Sequence, residues 1–143
     1  MICADINFLL SYYGEESLSE KARAHRVTAT QPLSIQLFND FEFANALRLL
    51  VFRGKARPLQ RTAWLASYEA DKTTGLLVAA EIDASAVLRS AASLSEKHTL
   101  TGGHRSYDLL IVAAALEAGA TEFWSFDAKQ RGLAKAEGLV VGP

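Results

Sequence analysis

The sequence has few of the residues that build disulfide frameworks, zinc sites or phosphate-binding loops. Cys3 is its single cysteine, so the chain forms no internal disulfide, and a reducing compartment is the simplest expectation. The three histidines, His25, His98 and His104, do not show the spacing of zinc ligands. Neither GxxxxGK followed by Ser or Thr nor GxGxxG occurs, which argues against P-loop and dinucleotide-binding proteins.

Long hydrophobic runs and a large net charge are also missing. The run "LLIVAAAL" is much shorter than the roughly 20 residues that cross a bilayer, and no basic leader precedes the apolar start of the sequence. We therefore expect a cytoplasmic protein without a membrane partner. The net charge of −1 excludes a hold on nucleic acid by overall charge, although a local basic surface can still attract a polyanion.

One basic stretch, residues 48–61, stands out from this balance. No acid occurs between Phe43 and Tyr68, and the stretch contains Arg48, Arg53, Lys55, Arg57 and Arg61. Two interpretations stay open. The cations are either the solvated end of a helix with its following loop, or a surface for a substrate or partner.

What is present is typical of one folded domain over residues 1–143. Half of the residues are hydrophobic and 22% are charged, a composition of ordinary globular proteins. A chain of this length buries a sizeable core without metal or disulfide cross-links. Any metal ion would therefore serve function rather than folding.

The first half of the chain predicts two strands and three helices. "MICAD" is a short apolar run typical of a buried strand, and "INFLLSYY" begins a helix. Residues 27–33 are predicted to form an edge strand, because Pro32 cannot donate to a central ladder. Ser34 is predicted to cap a helix over 35–52, and Pro58 to begin another that ends near Lys72, before Gly75. The helix over 35–52 has one apolar face, formed by Leu37, Phe41, Ala44, Leu47 and Val51.

The second half alternates strands and helices. Asp83 is a predicted cap, and the segment after Asp108 is apolar nearly all round, as in a buried helix, with Gly119 at its end. The remaining predictions are a strand within 76–82, a helix over 84–98, a loop over 99–106, a strand over 121–126, a helix over 128–138 and a strand over 139–142. This alternation predicts an α/β fold with a parallel sheet covered on both faces.

Four acids lie where such a fold would bring them together. Asp5 and Asp127 follow predicted strands, Asp108 begins the buried helix, and Glu42 lies in the first half of a long helix. Ligands of parallel sheets bind outside the carboxyl ends of the strands, and right-handed connections place the start of the buried helix at that edge. Taken singly, each acid also has a simpler explanation as a capping, turn or surface charge.

Carboxylates gathered at one edge repel each other unless a cation is present. Oxygen ligands of this kind suit Mg²⁺, or Mn²⁺ as a second possibility, whereas zinc sites favour histidine and cysteine. Asp40 lies only two residues before Glu42, about 200° around a helix, so both cannot face one metal ion. The sequence therefore predicts a divalent-cation site.

The ordered motifs resemble those of PIN-domain ribonucleases, and especially of VapC-type toxins. They are "ADINFLL" with Asp5 and Asn7, "EFANALR" with Glu42, "GGHRSYDLLIVAAALEAGA" with Asp108, and "FWSFDAKQRGLAKAEGL" with Ser125 and Asp127. The resemblance extends over nearly the whole chain in order and spacing. It implies a PIN-like three-layer α/β/α fold with a short central parallel sheet.

The resemblance also implies an activity, namely Mg²⁺-dependent hydrolysis of RNA phosphodiesters by the toxin of a toxin-antitoxin pair. Asp5, Glu42 and Asp108 would then hold the principal Mg²⁺ ion. Asp127 would complete the acid cluster, on a second ion or through a water. Asn7 and Ser125 would be supporting polar residues. Glu42 rather than Asp40 matches the family pattern.

Some consequences stay open at this point. Arg105, three residues before Asp108, either contacts substrate phosphate, meets an antitoxin carboxylate or neutralises the acids. The implied partners are RNA, a VapB-type antitoxin and a second copy of the chain, with apolar surface of "INFLLSYY" and "FEFANALRLLVF" available for docking. The alternative function is a non-catalytic PIN-like module that binds RNA or protein. The identity of the RNA and the number of metal ions are not determined.

Overall fold

The computed structural model describes residues 1–36 and 38–143. Within them, five strands form one sheet, β1 (Ile2–Ala4), β2 (Leu33–Ile35), β3 (Leu77–Ala79), β4 (Glu122–Trp124) and β5 (Val140–Gly142). Their order across the sheet is β3-β2-β1-β4-β5, and every neighbouring pair is parallel. The predicted α/β class with a short parallel sheet is confirmed.

Seven helices occur in the same described residues, α1 (Ile6–Tyr13), α2 (Ser19–Val27), α3 (Asn39–Phe52), α4 (Pro58–Thr74), α5 (Ala84–Gly102), α6 (Ser106–Glu117) and α7 (Ala128–Ala136). They cover both faces of the sheet. Side chains alternate along β1, so that Cys3 packs against α5, α6 and α7 while Ile2 and Ala4 pack against α1, α3 and α4. The result is the expected three-layer α/β/α arrangement.

The register of the central strands sets up the functional edge. It is fixed by two pairs, Cys3 with Ser34 and Ala4 with Trp124. Asp5 directly follows β1. It therefore lies between Gln36, which follows β2, and Ser125, which follows β4. The backbone N–H of Asp5 donates to the carbonyl of Trp124 at 2.9 Å, which continues the ladder to this row. We call the carboxyl edge of the sheet around Asp5 the rim.

Helix α6 confirms the predicted buried helix, and it begins at Ser106, so that Asp108 lies in its first turn. Seven of its residues are buried, and Gly119 follows it with a φ of 71°. The predicted loop over 99–106 is mostly wrong, because α5 continues to Gly102 and ends at Gly103 in the left-handed region. No helix of the described chain is long and apolar enough to cross a membrane.

The segment between α1 and α3 differs most from the prediction. Helix α2 was not predicted, and the strand predicted over 27–33 is wrong, since Val27 ends α2 and β2 begins only at Leu33. Strand β2 is an interior strand rather than the predicted edge strand. Pro32 is compatible with this position because it precedes the strand, where no ladder hydrogen bond requires its backbone N–H.

Ser34 and the start of the long helix also require correction. Ser34 is buried inside β2 and caps no helix, and α3 begins at Asn39 instead of residue 35. Leu37, which the apolar pattern of that helix included, lies outside the described residues. The shift matters for the site, because it places Gln36 at the end of a strand and Glu42 in the first turn of α3.

Candidate active site

Asp5 is the central acid of the rim and is fully buried. It is the N-cap of α1, and its carboxylate accepts hydrogen bonds from the Phe8 N–H at 2.9 Å, from Asn7 Nδ2 at 3.2 Å and from Ser125 Oγ at 2.8 Å. Burial raises the pKa of Asp5 to about 6, against these hydrogen bonds and with a smaller contribution from the charge of Asp127. The surrounding donors favour the charged form of Asp5, but burial disfavours it and is the larger effect.

Ser125 links Asp5 to Asp127. Its hydroxyl donates to Asp5 and accepts from the backbone N–H of Asp127 at 2.9 Å. Asp127 in turn caps α7, where Oδ1 accepts from the N–H groups of Lys129 at 2.8 Å and Gln130 at 3.0 Å. The contacts of Asn7 and Ser125 are those that a supporting polar residue beside an acid makes. Asp5 and Asp127 are thus helix caps as well as rim acids.

Asp108 lies in the first turn of α6 and is also buried. Its two carboxylate oxygens accept from Arg105 Nε at 3.0 Å and Nη2 at 3.2 Å, and Oδ1 also accepts from Gln130 Nε2 at 3.3 Å. Burial favours a higher pKa for Asp108, but the hydrogen bonds from Arg105 and Gln130 and the charge of Arg105 outweigh it, so the pKa is lowered. Of the interpretations of Arg105, neutralisation of the cluster is the one for which the structure contains a contact.

Gln130 is a site residue that the sequence prediction missed. Its side chain bonds Asp108, while its backbone N–H bonds Asp127, so one buried residue of α7 joins the two acids. A glutamine three residues after a capping aspartate is a weak signal of helix capping. Its contact with Asp108 depends on how α7 packs on α6, and the sequence does not reveal that.

Glu42 faces the rim from α3 and is partly buried. Burial, together with the charges of Asp5 and Asp108, raises the pKa of Glu42 to about 7. Its Oε2 atom is buried and has no hydrogen-bond partner among the described residues. Asp40, by contrast, bonds Lys72 at 3.0 Å and the Tyr68 hydroxyl at 2.8 Å, and its side chain is 56% exposed. Asp40 is therefore a surface charge that faces away from the rim.

The four predicted acids therefore lie at one edge of the sheet. Hydrogen bonds through Ser125 and Gln130 connect Asp5, Asp127 and Asp108, and Glu42 interacts with Asp5 and Asp108 through its charge. As they stand, however, no group of three or more His, Cys, Asp or Glu side chains in residues 1–36 and 38–143 is arranged to hold a metal ion. At Asp108, in addition, both carboxylate oxygens are engaged by Arg105. A cation at the rim requires that Arg105 share or release this carboxylate.

The chemistry of the donors fits a hard divalent cation. All four groups are carboxylates, the ligands that Mg²⁺ and Mn²⁺ prefer. Burial raises the pKa values of Asp5 and Glu42, and the charges of neighbouring acids add to the rise. The Oε2 atom of Glu42 also has no hydrogen-bond partner among the described residues. The residues that would hold a cation are Asp5, Glu42 and Asp108, with Asp127 beside them.

Removal of the Arg105 side chain tests this competition. Arg105→Gln is expected to tighten Mn²⁺ binding severalfold, since the carboxylate of Asp108 then has no competing cation. Calorimetry of the RNA-free protein at pH 8 measures the affinity. Arg89→Gln is a matched control, because Arg89 is an exposed arginine beside another capping aspartate, Asp83. Equal affinities of the Arg105 variant and the wild type would contradict this role.

The basic stretch lies away from the acids. Arg53, Lys55 and Arg57 are exposed at the turn between α3 and α4. Glu42 is in the first turn of α3, and at 1.5 Å per residue the other end of this helix lies about 15 Å away. Nearer the acids, a cleft of about 270 Å³ is lined by Asn7, Ser11, Glu16, Leu18, Phe126 and Asp127.

A short parallel sheet between helical layers, with acids at its carboxyl edge, is consistent with a PIN-like fold. No protein-family model and no curated protein matches the sequence. Among solved structures, the chain is similar to FitAcB from Neisseria gonorrhoeae, with a TM-score of 0.65 and 14% identity, over 100% of this chain and 97% of that chain. FitAcB is described as a PIN-domain VapC-like toxin with its antitoxin. The likeness confirms the predicted fold over the whole chain.

Proposed function

We propose that the protein is a Mg²⁺-dependent endoribonuclease and the toxin of a toxin-antitoxin pair. One observation carries the catalytic part, namely that Ser125 and Gln130 tie Asp5, Asp127 and Asp108 into one hydrogen-bonded set that Glu42 faces from α3. The PIN-like fold, shared with the toxin of FitAcB, supports both parts. Simple helix caps need no such connection between them.

In this proposal, Asp5, Glu42 and Asp108 hold the principal cation, and Asp127 acts on a second ion or through a water. When bound, the cation activates the attacking water and shields the charge of the phosphodiester. Asn7 and Ser125 fix the orientation of the Asp5 carboxylate, which leaves it little freedom to turn away. Gln130 holds Asp108 and Asp127 at a constant separation.

Arg105 has a second task in the proposed reaction. Its side chain is 76% exposed, although its guanidinium contacts a buried acid. A guanidinium that leaves Asp108 when a cation arrives is free to contact a phosphate oxygen of the substrate. The same residue would then neutralise the empty acids and bind RNA in the loaded state.

The activity is tested with purified protein, free of any antitoxin, and a broad panel of RNAs. Cleavage is expected with Mg²⁺, and is expected to stop with EDTA and in Asp5→Asn. Asn at this position keeps the capping bond to the Phe8 N–H and so preserves α1. Binding of RNA without cleavage, identical in wild type and variant, would instead support the alternative of a non-catalytic PIN-like module.

The antitoxin is proposed to dock near α1 and α2. A groove of about 620 Å³ there is lined by Tyr12, Tyr13, Arg23, Arg26, Val27, Ala29, Ser67, Asp71 and Leu76. Much of "INFLLSYY" is core, since Phe8 and Leu9 are fully buried, whereas α3 exposes Phe41 and Phe52. The α3 surface is therefore the better candidate for a homodimer.

Harmless expression in a bacterial host, with the rim acids intact, would contradict the toxin role while leaving the nuclease proposal untouched.

A further inference from the structure

Gln36 occupies a position at the rim equivalent to that of Ser125, on the other side of Asp5. It follows β2, as Ser125 follows β4, and the register places Asp5 between them. Gln36 is 3% exposed, so its carboxamide is buried, at the end of the strand next to that of Asp5. Ser125 uses its place to bond Asp5. The side chain of Gln36 makes no such bond.

Both polar atoms of that carboxamide, Nε2 and Oε1, are buried without a hydrogen-bond partner in the part of the chain that the structure describes. Two more unpartnered atoms follow along the same segment, Nδ2 of the fully buried Asn39 and Oε2 of Glu42. Asn39 and Glu42 lie one helical turn apart on α3, and therefore on the same face. Buried polar groups are nearly always paired, so four unpaired atoms between 36 and 42 call for an explanation.

Ordinary structural roles do not account for Gln36. Its backbone N–H donates to Asn39 Oδ1 at 2.6 Å, which holds the turn into α3, but this bond does not use its side chain. Burial raises the pKa of Cys3 to about 11, although a hydrogen bond with the Gln36 side chain lowers it, so the thiol stays neutral and is only a weak partner for the carboxamide. A neutral core thiol needs neither a donor nor an acceptor, and an apolar side chain would fill this space at lower cost.

A hydrated cation among carboxylates would supply hydrogen-bond partners for these atoms. Mg²⁺ keeps several of its waters when it binds to carboxylates, and those waters donate hydrogen bonds outward. A carboxamide can accept from such a water through its oxygen while it donates to a carboxylate through its nitrogen. Residues that orient ligands and water in this way affect metal affinity without touching the ion.

We propose that Gln36, together with Asn39, is a positioning residue of the rim, whose carboxamide orders the Glu42 carboxylate and the water around a bound divalent cation. The inference rests on the proposed function in its requirement for a cation. It adds two uncharged residues to the site, Gln36 after the end of β2 and Asn39 at the start of α3. These residues cost stability in the free protein and contribute to binding in the loaded one.

The test follows from these two effects, because removal of the carboxamide should raise stability without metal and lower the affinity for the metal. Gln36→Met keeps the approximate volume and removes both polar atoms. We expect its urea midpoint, measured without metal, to rise, and its Mn²⁺ affinity, measured by electron paramagnetic resonance of the RNA-free protein, to fall by about 10-fold. Gln31→Met makes the same change at an exposed position and is expected to alter neither quantity.

A second variant keeps the inference testable if methionine prevents folding. Gln36→Glu adds a carboxylate to the rim, so it is expected to bind Mn²⁺ more tightly than the wild type at pH 8 and to be less stable without metal. A Gln36→Met protein that is stabilised but binds Mn²⁺ like the wild type would overturn the inference and leave the proposed nuclease intact. A wild-type protein that binds no Mn²⁺ would overturn both.

Discussion

Asp108→Asn and Asp127→Asn are each expected to lower the rate of Mg²⁺-dependent RNA cleavage by about 10³-fold or more, with the protein still folded. Each substitution removes one negative charge from the four acids that are proposed to hold the cation. A bound cation would stabilise the transition state by several kcal/mol, and about 1.4 kcal/mol corresponds to a factor of ten in rate. Asn at 127 still accepts the α7 capping bonds, and Asn at 108 still accepts from Gln130. Cleavage rates and urea unfolding of the same preparations measure the two effects.

Asp83 offers a matched control for the capping contribution. It caps α5 by accepting from the Ser85 N–H at 3.0 Å, as Asp127 caps α7. Asp83→Ala and Asp127→Ala should each cost about 1 kcal/mol of stability, whereas only Asp127→Ala should abolish cleavage. If Asp127→Asn cleaved RNA at the wild-type rate, Asp127 would be a cap alone, and the four-acid site would have to be abandoned.

Glu42→Gln is expected to stabilise the metal-free protein at pH 8 and to have little effect at pH 5. The pKa of Glu42 is raised in the folded protein to about 7 from 4.5, so the folded state binds this proton more tightly than the unfolded state. Unfolding free energy therefore falls as the pH rises from about 4.5 to 7, and the loss persists above that range. Since one pKa unit corresponds to about 1.4 kcal/mol, the gain in Glu42→Gln at pH 8 is at most about 3 kcal/mol, and solvent screening of the partly buried side chain lowers it.

Urea unfolding at both pH values in EDTA measures this gain. Glu69→Gln is the matched control, because Glu69 lies on α4 with its side chain 55% exposed, and the substitution should change stability by less than about 0.5 kcal/mol. Added Mg²⁺ should stabilise the wild type at pH 8 by binding the folded state, and should stabilise Glu42→Gln much less. No gain at pH 8 in the variant would mean that Glu42 is well solvated and does not face the other acids.

The regions predicted well from sequence are those where the local pattern and the tertiary environment agree. The all-round apolar segment after Asp108 can only be a buried helix, and the fold buries it. The region before α3 is where they disagree. Val27 and the threonines after it favour a strand, yet Val27 ends α2 because Ala22 of that helix packs into the core. Ser34, a good capping residue, is instead buried within β2.

The same distinction separates the site residues that the sequence predicted from those that it did not. Asp5, Asp108 and Asp127 were predicted because each lies at the end of a predicted element, where charge is conspicuous in a sequence. Glu42 was preferred to Asp40 because it matches the family pattern. Gln130 was missed because its contact with Asp108 depends on how α7 packs on α6. Gln36 was missed because only the register of β2 with β1 brings it level with Asp5. An uncharged amide gives no sequence signal until the register of the strands and the packing of the helices place it beside an acid.

The most direct test of the central claim is the chemistry of the ends produced when the purified protein cleaves single-stranded RNA in isotopically labelled water with Mg²⁺. Attack by water at phosphorus predicts linear phosphate ends that carry the label from the earliest times, no 2′,3′-cyclic phosphate, and no product in EDTA or with Asp5→Asn. Cyclic ends, or cleavage that continues in EDTA or in Asp5→Asn, would contradict the claim that these four acids perform a cation-dependent hydrolysis of RNA.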